Sequence, residues 1–239
     1  MRNSYFQFKE FVIHQERSSM KVCTDSCILG AWTAVQLKNV RTILDIGTGT
    51  GLLPLMLAQK SESRIDAIES DRESSGQARE NVQLTPWSDR IHIIEGDVRH
   101  FVGEVPYDWI ITNPPFFESD LRSPERKKNE AKHDESLTLD QLISAIGKNL
   151  KQDGHFSILL PHHRTSYFEN LASAKGFFLL RKLEVRQSPD HKPFRSICLF
   201  GYQKSSEAIS EALTIMEKDG KYTGGFVNIM KDFYLNLEI

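Results

Sequence analysis

Cysteine is scarce in this sequence, which argues against a disulfide-stapled fold and against a cysteine-rich metal site. The 239 residues include three cysteines, Cys23, Cys27 and Cys198. Cys23 and Cys27 are one helical turn apart, and no cluster of histidines accompanies them at the spacing of metal ligands. We therefore expect buried free thiols and no bound metal.

Two further features are missing, a long apolar run and an excess of charge of one sign. No window approaches the roughly 18 consecutive apolar residues of a membrane-spanning helix, and the first residues lack the apolar core of a signal peptide. We therefore expect a cytoplasmic protein without membrane contact. The formal net charge is -2, so any binding to RNA must come from local basic patches.

Linkers, internal repeats and low-complexity tracts are also absent, so we expect a single domain over residues 1–239. What the chain does contain is a repeated unit: a short apolar run, a turn and a helical pattern. Strands are predicted at Thr42–Ile46, Arg64–Glu69, Ile91–Glu95, Tyr107–Thr112, 156–160, 178–185 and 196–202, and helices at 52–59, 73–84 and 139–150. This alternation predicts an α/β fold, a mostly parallel sheet with helices on both faces.

A glycine-rich turn follows the first predicted strand. Its glycines are Gly47, Gly49 and Gly51, and a nicotinamide-binding loop would require another glycine where Leu52 stands. Glycines at alternate positions let the backbone turn sharply and approach a ligand closely. Asp45 precedes the first glycine, and a carboxylate there suits a ligand with a cationic amino group better than a pyrophosphate.

Acidic residues also follow the next two predicted strands. Glu69 ends the second strand, 24 residues after Asp45, and can accept hydrogen bonds from both hydroxyls of a ribose. Asp97 follows the third strand and is placed to accept a hydrogen bond from an adenine amino group. An amino-acid end, a ribose and an adenine together indicate S-adenosylmethionine.

The fourth predicted strand ends in the motif Asn113-Pro114-Pro115-Phe116. The prolines fix the backbone and leave the Pro114 carbonyl free to accept a hydrogen bond. Together with the Asn113 side-chain oxygen, this carbonyl can hold both hydrogens of an aromatic amine and direct its lone pair at a methyl group. Phe116 can stack on the base that carries the amine. The motif therefore predicts methyl transfer to an exocyclic amino nitrogen.

With these motifs, the sequence resembles the amino methyltransferases of the Rossmann-like class I fold, which implies a seven-stranded, mostly parallel sheet with an antiparallel last strand. Three further stretches, 20–32, 132–133 and 231–235, resemble one family in particular, the bacterial tRNA(Val) adenine-N6-methyltransferases. The resemblance covers nearly the whole chain and implies methylation of the adenosine 3′ of the anticodon. One difference is Cys23, where the family is expected to carry glycine.

The resemblance also implies which residues form the site. Residues 1–40 are expected to extend over it, residues 205–239 to form a C-terminal extension, and Asn113, Pro114, Pro115 and Phe116 to act in catalysis. Cofactor-binding residues are expected to be Lys21, Thr24, Asp45, Gly47, Thr48, Gly49, Gly51, Glu69, Ser70, Asp97, Val98 and Asn113.

Charge indicates where RNA would bind. Residues 162–204 carry a net charge of +5, and Arg186, Lys192 and Arg195 are predicted to flank the mouth of the site and contact phosphates. The polar segment 117–135 is predicted to close over the target nucleotide as a lid. Its Arg126, Lys127, Lys128 and His133 are further predicted RNA contacts. Nothing indicates an obligate protein partner.

Other protein classes share some of these motifs. Glutamine N5-methyltransferases of release factors share Asn-Pro-Pro, but they usually continue with tyrosine and carry an N-terminal helical domain, whereas only about 40 residues precede the glycine turn here. DNA adenine and ribosomal RNA guanine methyltransferases also fit the motif. A nicotinamide dehydrogenase is disfavoured by the glycine spacing, and a non-catalytic RNA-binding relative by the presence of Asn113 and the glycines.

Overall fold

An eight-stranded sheet with helices on both faces forms the centre of the computed structural model, which describes residues 4–18, 20–114 and 137–237. A separate two-stranded hairpin precedes it. In chain order the strands are β1 Tyr5–Gln7, β2 Val12–His14, β3 Thr42–Ile46, β4 Arg64–Glu69, β5 Ile91–Glu95, β6 Tyr107–Thr112, β7 Leu150–Pro161, β8 Phe178–Arg186, β9 Arg195–Gly201 and β10 Ile209–Thr214. The helices are α1 Thr24–Ala34, α2 Leu52–Lys60, α3 Arg72–Gln83, α4 Leu139–Asn149, α5 Thr165–Ala174 and α6 Gly224–Met230, with a short 3-10 turn at His162–Arg164.

The sheet order is β10-β8-β9-β7-β6-β3-β4-β5. Strands β3 to β7 are parallel to one another, and β9 is antiparallel to both of its neighbours. Strands β3 to β9 are seven in number and confirm the expected mostly parallel sheet with one antiparallel strand, β9. The expected total of seven is wrong, because β10 adds an eighth strand parallel to β8. Most of its side chains are exposed or half-buried, so it lacks the apolar run that marks the inner strands.

The inner strands are mostly apolar because helices cover both faces of the sheet, with Asp45 of β3 and Asp66 of β4 as buried exceptions. On one face α1 and α2 pack against side chains such as Ile43 and Ile111. On the other face α4 and α5 pack against side chains such as Leu44 and Ile110. Two opposed cores thus hold the central strands, and the loops at the strand ends are left to form a site.

Helix α4 begins as the sequence predicts. The Thr138 side chain accepts a hydrogen bond from the Gln141 backbone N–H, and the Gln141 side chain accepts one from the Thr138 backbone. This capping box satisfies two backbone donors that the first turn of a helix otherwise leaves unpaired.

The N-terminal segment is pinned against the glycine turn by the buried Asn81 of α3. Its amide oxygen accepts a hydrogen bond from the His14 N–H at 3.0 Å. Its amide nitrogen donates to the carbonyls of His14 and Thr50 at 2.8 and 2.9 Å. One side chain therefore fixes the end of β2 to the loop that follows β3.

All three cysteines are free. Cys27 and Cys198 are buried, as expected, whereas Cys23 is half-buried. Among the described residues, no group of three or more His, Cys, Asp or Glu could hold a metal ion. Within the same ranges, no helix is both long and apolar enough to cross a membrane.

Candidate active site

The glycine turn and the Asn-Pro motif are neighbours at the carboxyl edge of the sheet. The last residues of β3 and β6, Ile46 and Thr112, are register partners in parallel strands. The Thr112 hydroxyl also donates to the Ile46 carbonyl at 2.9 Å. Adjacent strands lie about 4.8 Å apart, so Gly47 and Asn113 leave the sheet side by side.

Between these two segments lies a cavity of about 290 Å³, at the lower end of the range for small-molecule sites. Its walls come from the segment before α1, the ends of β3, β4 and β6, the loop after β5, and the residue that precedes the cap of α4. The lining residues are Ser18, Met20, Ile46, Gly47, Gly49, Ile68, Glu69, Ser70, Ser74, Gly96, Asp97, Val98, Arg99, Thr112, Asn113, Pro114 and Leu137.

Gly47 lines the cavity and leaves open space beside its backbone. Its φ is +75°, which L side chains rarely adopt. The N–H groups of Gly47 and Thr48 both donate to the Ile68 carbonyl, at 2.9 and 3.1 Å, and this holds the turn against β4. A Cβ added at Gly47 would meet no atom within 4 Å, so the space beside the backbone is free for a ligand.

Glu69 connects the glycine turn to the strand beside it. One carboxylate oxygen accepts a hydrogen bond from the Gly49 N–H at 2.9 Å, and the other accepts one from the Asp71 N–H at 2.9 Å. Each oxygen keeps acceptor capacity, because an ionised carboxylate offers about four acceptor positions. The side chain is thus held in place and can still bind two hydroxyl groups of a ligand.

Asp97 is fixed by its neighbour Arg99. Its carboxylate accepts hydrogen bonds from the Arg99 N–H at 2.9 Å and from Nε at 2.7 Å. These bonds to Arg99 lower the pKa of the Asp97 carboxyl. Asp97 is therefore an anchored, ionised acceptor in the cavity wall.

Asp45 lies beneath the cavity, and its side chain does not line it. It is fully buried in β3, and neither carboxylate oxygen has a hydrogen-bond partner among the described residues. Burial raises the pKa of Asp45 to about 7, although the nearby Thr48 hydroxyl opposes the shift, and the negative charge of Glu69 adds a smaller rise. A buried carboxyl without a hydrogen-bond partner destabilises the fold, and a carboxyl with a strongly shifted pKa beside a cavity is typical of a functional site.

Asn113 has two differently engaged ends. Its amide nitrogen donates to the Ser26 hydroxyl at 2.8 Å. Its amide oxygen is buried and has no hydrogen-bond partner among the described residues. Pro114, the next residue, is buried and lines the same cavity. The wall beside the glycine turn therefore includes an acceptor that no described residue uses.

Comparison with known proteins identifies the family. Residues 32–176 match the family model "Methyltransferase small domain". The chain is 45% identical to the tRNA1(Val) (adenine(37)-N6)-methyltransferase of Dyadobacter fermentans, over 98% of both chains. It is 37% identical to the protein of the same name in Phocaeicola vulgatus, over 99% of this chain and 100% of that one. The chain belongs to the tRNA1(Val) (adenine(37)-N6)-methyltransferase family.

Solved structures share the fold of this family member at low sequence identity. A predicted O-methyltransferase from Agrobacterium tumefaciens superposes with a TM-score of 0.67 at 18% identity, over 87% of this chain and 96% of that one. The ribosomal protein L11 methylase of Lactobacillus delbrueckii subsp. bulgaricus gives a TM-score of 0.58 at 15% identity, over 80% and 84%. At such identities the likeness shows the fold alone, which is that of methyltransferases.

The expected site residues of this family member fall into three groups. Eight of them line the cavity: Gly47, Gly49, Glu69, Ser70, Asp97, Val98, Asn113 and Pro114. Five others do not line it: Lys21, Thr24, Asp45, Thr48 and Gly51. The remaining expected site residues lie outside the described residues or at the predicted RNA surface.

Two residues that do not line the cavity have clear local roles. The Lys21 ammonium donates to the carbonyls of Gln15 and Ser18, which holds the segment that forms one wall. Gly51 has a φ of +82° at the start of α2, and an added Cβ would meet Ala78 of α3 at 3.4 Å. Gly51 therefore serves the turn and close helix packing, and its expected contact with the cofactor stays a prediction.

The predicted RNA contacts lie at the same edge of the sheet as the cavity: Arg186 ends β8, Lys192 is in the loop that follows, and Arg195 begins β9. Lys192 is exposed, and Arg195 forms an ion pair with Asp25 at 2.8 Å. Their contact with RNA stays a prediction. The other expected site residues, Pro115, Phe116, Arg126, Lys127, Lys128 and His133, lie outside the described residues, as does the predicted lid.

Several lining residues were not anticipated from the sequence as ligand contacts. They include Ser18, Met20, Arg99 and Leu137. Arg99 could have been noticed, because it follows Asp97 by two residues and can form an ion pair with it. Ser18 and Leu137 give no such local signal, since only the fold brings them to the cavity.

Proposed function

We propose that this protein methylates N6 of adenine 37 in tRNA1(Val), with S-adenosylmethionine as the methyl donor. Membership of the family supports the reaction, and the names of the relatives supply the tRNA and the nucleotide. The observation that carries the proposal is the unused Asn113 oxygen in the same cavity as the glycine turn. We further propose one catalytic domain over residues 1–239, acting in the cytoplasm.

The cavity residues fit S-adenosylmethionine. Glu69 would hold the ribose hydroxyls with its remaining acceptor positions, and Asp97 would accept a hydrogen bond from the adenine amino group. The open space at Gly47 admits a ligand against the backbone. Asp45 would balance the cationic amino group through the low-dielectric interior beneath the turn. When bound, S-adenosylmethionine supplies a methyl group on a positively charged sulfur.

Asn113 and Pro114 would prepare the amine for attack. The amino nitrogen of adenine is a poor nucleophile, because its lone pair is delocalised into the ring. Hydrogen bonds from its two hydrogens to the Asn113 oxygen and the Pro114 carbonyl would favour a tetrahedral nitrogen with the lone pair aimed at the cofactor side. The proton left after transfer passes to water, so no general base is required. Phe116 would stack on the base, a contact worth roughly 1–3 kcal/mol.

The tRNA would approach over the basic edge of the sheet. Arg186, Lys192 and Arg195 are our proposed phosphate contacts from the described residues. Arg126, Lys127, Lys128 and His133 remain proposed contacts in the segment that we expect to close over the flipped nucleotide. The charge of the whole chain is slightly negative, so these local positive charges would decide the orientation of the bound RNA.

The test is to incubate the protein with unmodified tRNA1(Val) and S-adenosylmethionine carrying a labelled methyl group. Nuclease digestion should release labelled N6-methyladenosine, and mapping of the modified nucleotide should place it at position 37. A tRNA1(Val) with guanosine at position 37 is the matched control and should remain unlabelled. Label in a guanosine, at another adenosine or in a protein glutamine would contradict the proposal.

A further inference from the structure

Ser26 carries a buried hydroxyl group beside the Asn-Pro motif. The proposed function gives this residue no role. It lies in the first turn of α1 and is 5% exposed. Its Oγ is 2.8 Å from the Asn113 amide nitrogen, although the two residues are 87 positions apart in the sequence. The contact joins the start of α1 to the end of β6 and sits directly behind the reacting edge of Asn113.

The two ends of the Asn113 amide have opposite hydrogen-bonding character. The oxygen only accepts and the nitrogen only donates. Of these two ends, only the Asn113 oxygen can accept a hydrogen of the target amine. If the Asn113 amide were rotated by 180°, its N–H donors would face the N–H donors of the amine. With its nitrogen engaged by Ser26, the amide leaves its oxygen without a partner among the described residues.

We propose that Ser26 is a positioning residue for methyl transfer, because its hydroxyl fixes the Asn113 amide with the oxygen toward the target amine. The inference rests on the proposed function and adds a residue that acts through Asn113. The reaction is unchanged by it: the nitrogen–carbon bond forms, the carbon–sulfur bond breaks, and the proton leaves to water. Ser26 exchanges no atom with the substrate.

The surroundings of Ser26 keep its hydroxyl in this role. Its Oγ is 2.9 Å from the Cys23 sulfur, at the residue that precedes α1. Burial raises the pKa of the Cys23 thiol to about 11, so the sulfur stays a neutral thiol at physiological pH. The sulfur can take the Ser26 hydroxyl proton as a weak acceptor, which leaves an oxygen lone pair for the Asn113 nitrogen.

Asp25 fixes the helix turn that carries Ser26. One of its carboxylate oxygens accepts a hydrogen bond from the Ser26 N–H at 3.1 Å, and the other accepts one from Arg195 Nε at 2.8 Å. The position of the hydroxyl is therefore set from both strand β9 and the helix start. An ordered support of this kind matters, since a shift of about 1 Å at a reacting group can cost roughly 100-fold in rate.

The experiment measures single-turnover methylation of tRNA1(Val) by Ser26→Ala, with the affinity for S-adenosylmethionine measured by calorimetry. We expect the rate to fall about tenfold while the cofactor Kd changes by less than about twofold, because only the orientation of Asn113 is lost. Ser26→Thr keeps the hydroxyl and should keep the rate to within about threefold. A rate for Ser26→Ala equal to that of the wild type overturns the inference, and so does an equal loss in Ser26→Thr.

Thr33→Val is the matched control. It also removes a buried hydroxyl from α1, but Thr33 donates to Ser157 at 2.9 Å, away from the cavity. We expect this variant to lose stability without losing methylation rate. Equal slowing of both variants would show that the rate follows the stability of α1, and this would overturn the positioning role.

A double variant distinguishes an effect of Ser26 through Asn113 from a general disturbance of the active-site structure. In an Asn113→Ala background, Ser26→Ala should change the residual rate by less than about twofold, because the group on which Ser26 acts is gone. An undiminished tenfold effect in that background would overturn the inference. Wild-type protein that leaves tRNA1(Val) unmodified refutes the proposed function as a whole, whereas an active wild type with an equally active Ser26→Ala refutes the role of Ser26 alone.

Discussion

Replacing Asp45 by asparagine should change how the stability of the cofactor-free protein depends on pH. Burial raises the pKa of Asp45 to about 7, whereas an unfolded aspartate has a pKa of about 3.9. The folded state therefore binds the proton more tightly than the unfolded state does. A raised pKa of this kind stabilises the fold at low pH, and the contribution is lost as the pH rises from about 4 to about 7.

The size of the effect follows from the two pKa values. Each pKa unit corresponds to about 1.36 kcal/mol, so between pH 5 and pH 8 the contribution of Asp45 to the free energy of unfolding should fall by about 2.5 kcal/mol. The side chain is fully buried, so screening by solvent reduces this little. Asp45→Asn cannot titrate and should lack this fall.

Urea unfolding of the wild type and Asp45→Asn at several pH values between 5 and 8 measures the difference directly. Histidines titrate in both proteins and cancel in the comparison. Asp108→Asn is a suitable control, because the pKa of Asp108 is lowered and its titration lies below this pH window. Parallel pH profiles for the wild type and Asp45→Asn would refute the account of Asp45 as a buried, unpaired carboxyl.

Three further predictions concern the cofactor and the RNA. Glu69→Gln should weaken S-adenosylmethionine binding about 10- to 100-fold by calorimetry, because a backbone N–H or a ribose hydroxyl then loses its charged acceptor. An unchanged Kd would contradict this role of Glu69. Gly47→Ala should lower the free energy of unfolding in urea by about 1–2 kcal/mol, because φ is +75° at this position. The variant should also bind the cofactor more weakly. A wild-type free energy of unfolding together with a wild-type cofactor Kd would contradict this prediction. Lys192→Ala should weaken tRNA binding and lower its salt slope by about 1, with no change in the melting temperature; an unchanged slope would place Lys192 away from the phosphates.

Strands β3, β4, β5 and β6 could be predicted from the sequence with their observed ends, whereas β7 begins at Leu150, six residues before its predicted start at 156. Strands such as β3 and β6 are buried on both faces, so most of their residues are apolar and polar turns bound them. The position of the site follows from the same fact, because ligands bind at the carboxyl ends of such strands. Strand β10 could not be found this way, since an exposed edge strand carries polar residues on both faces.

Some contacts in the site join residues that are far apart in the sequence and could not be predicted from it. Ser26 and Asn113 meet only because α1 packs beside the end of β6, and no spacing in the sequence indicates that pair. Asp45 illustrates the opposite case. Its place before the glycines predicts a role in cofactor binding, which stays a prediction, and only the fold shows that its side chain is fully buried and does not line the cavity.

The central claim is that the Asn113 oxygen holds the target amine in the cavity beside the glycine turn, and Asn113→Ala tests it most directly. Single-turnover methylation of tRNA1(Val) and the Kd for S-adenosylmethionine should be measured on the same preparation. The account predicts a rate lower by about 100- to 1000-fold, the usual effect of removing one group that stabilises a transition state, with the Kd nearly unchanged. A variant that methylates at the wild-type rate would contradict it.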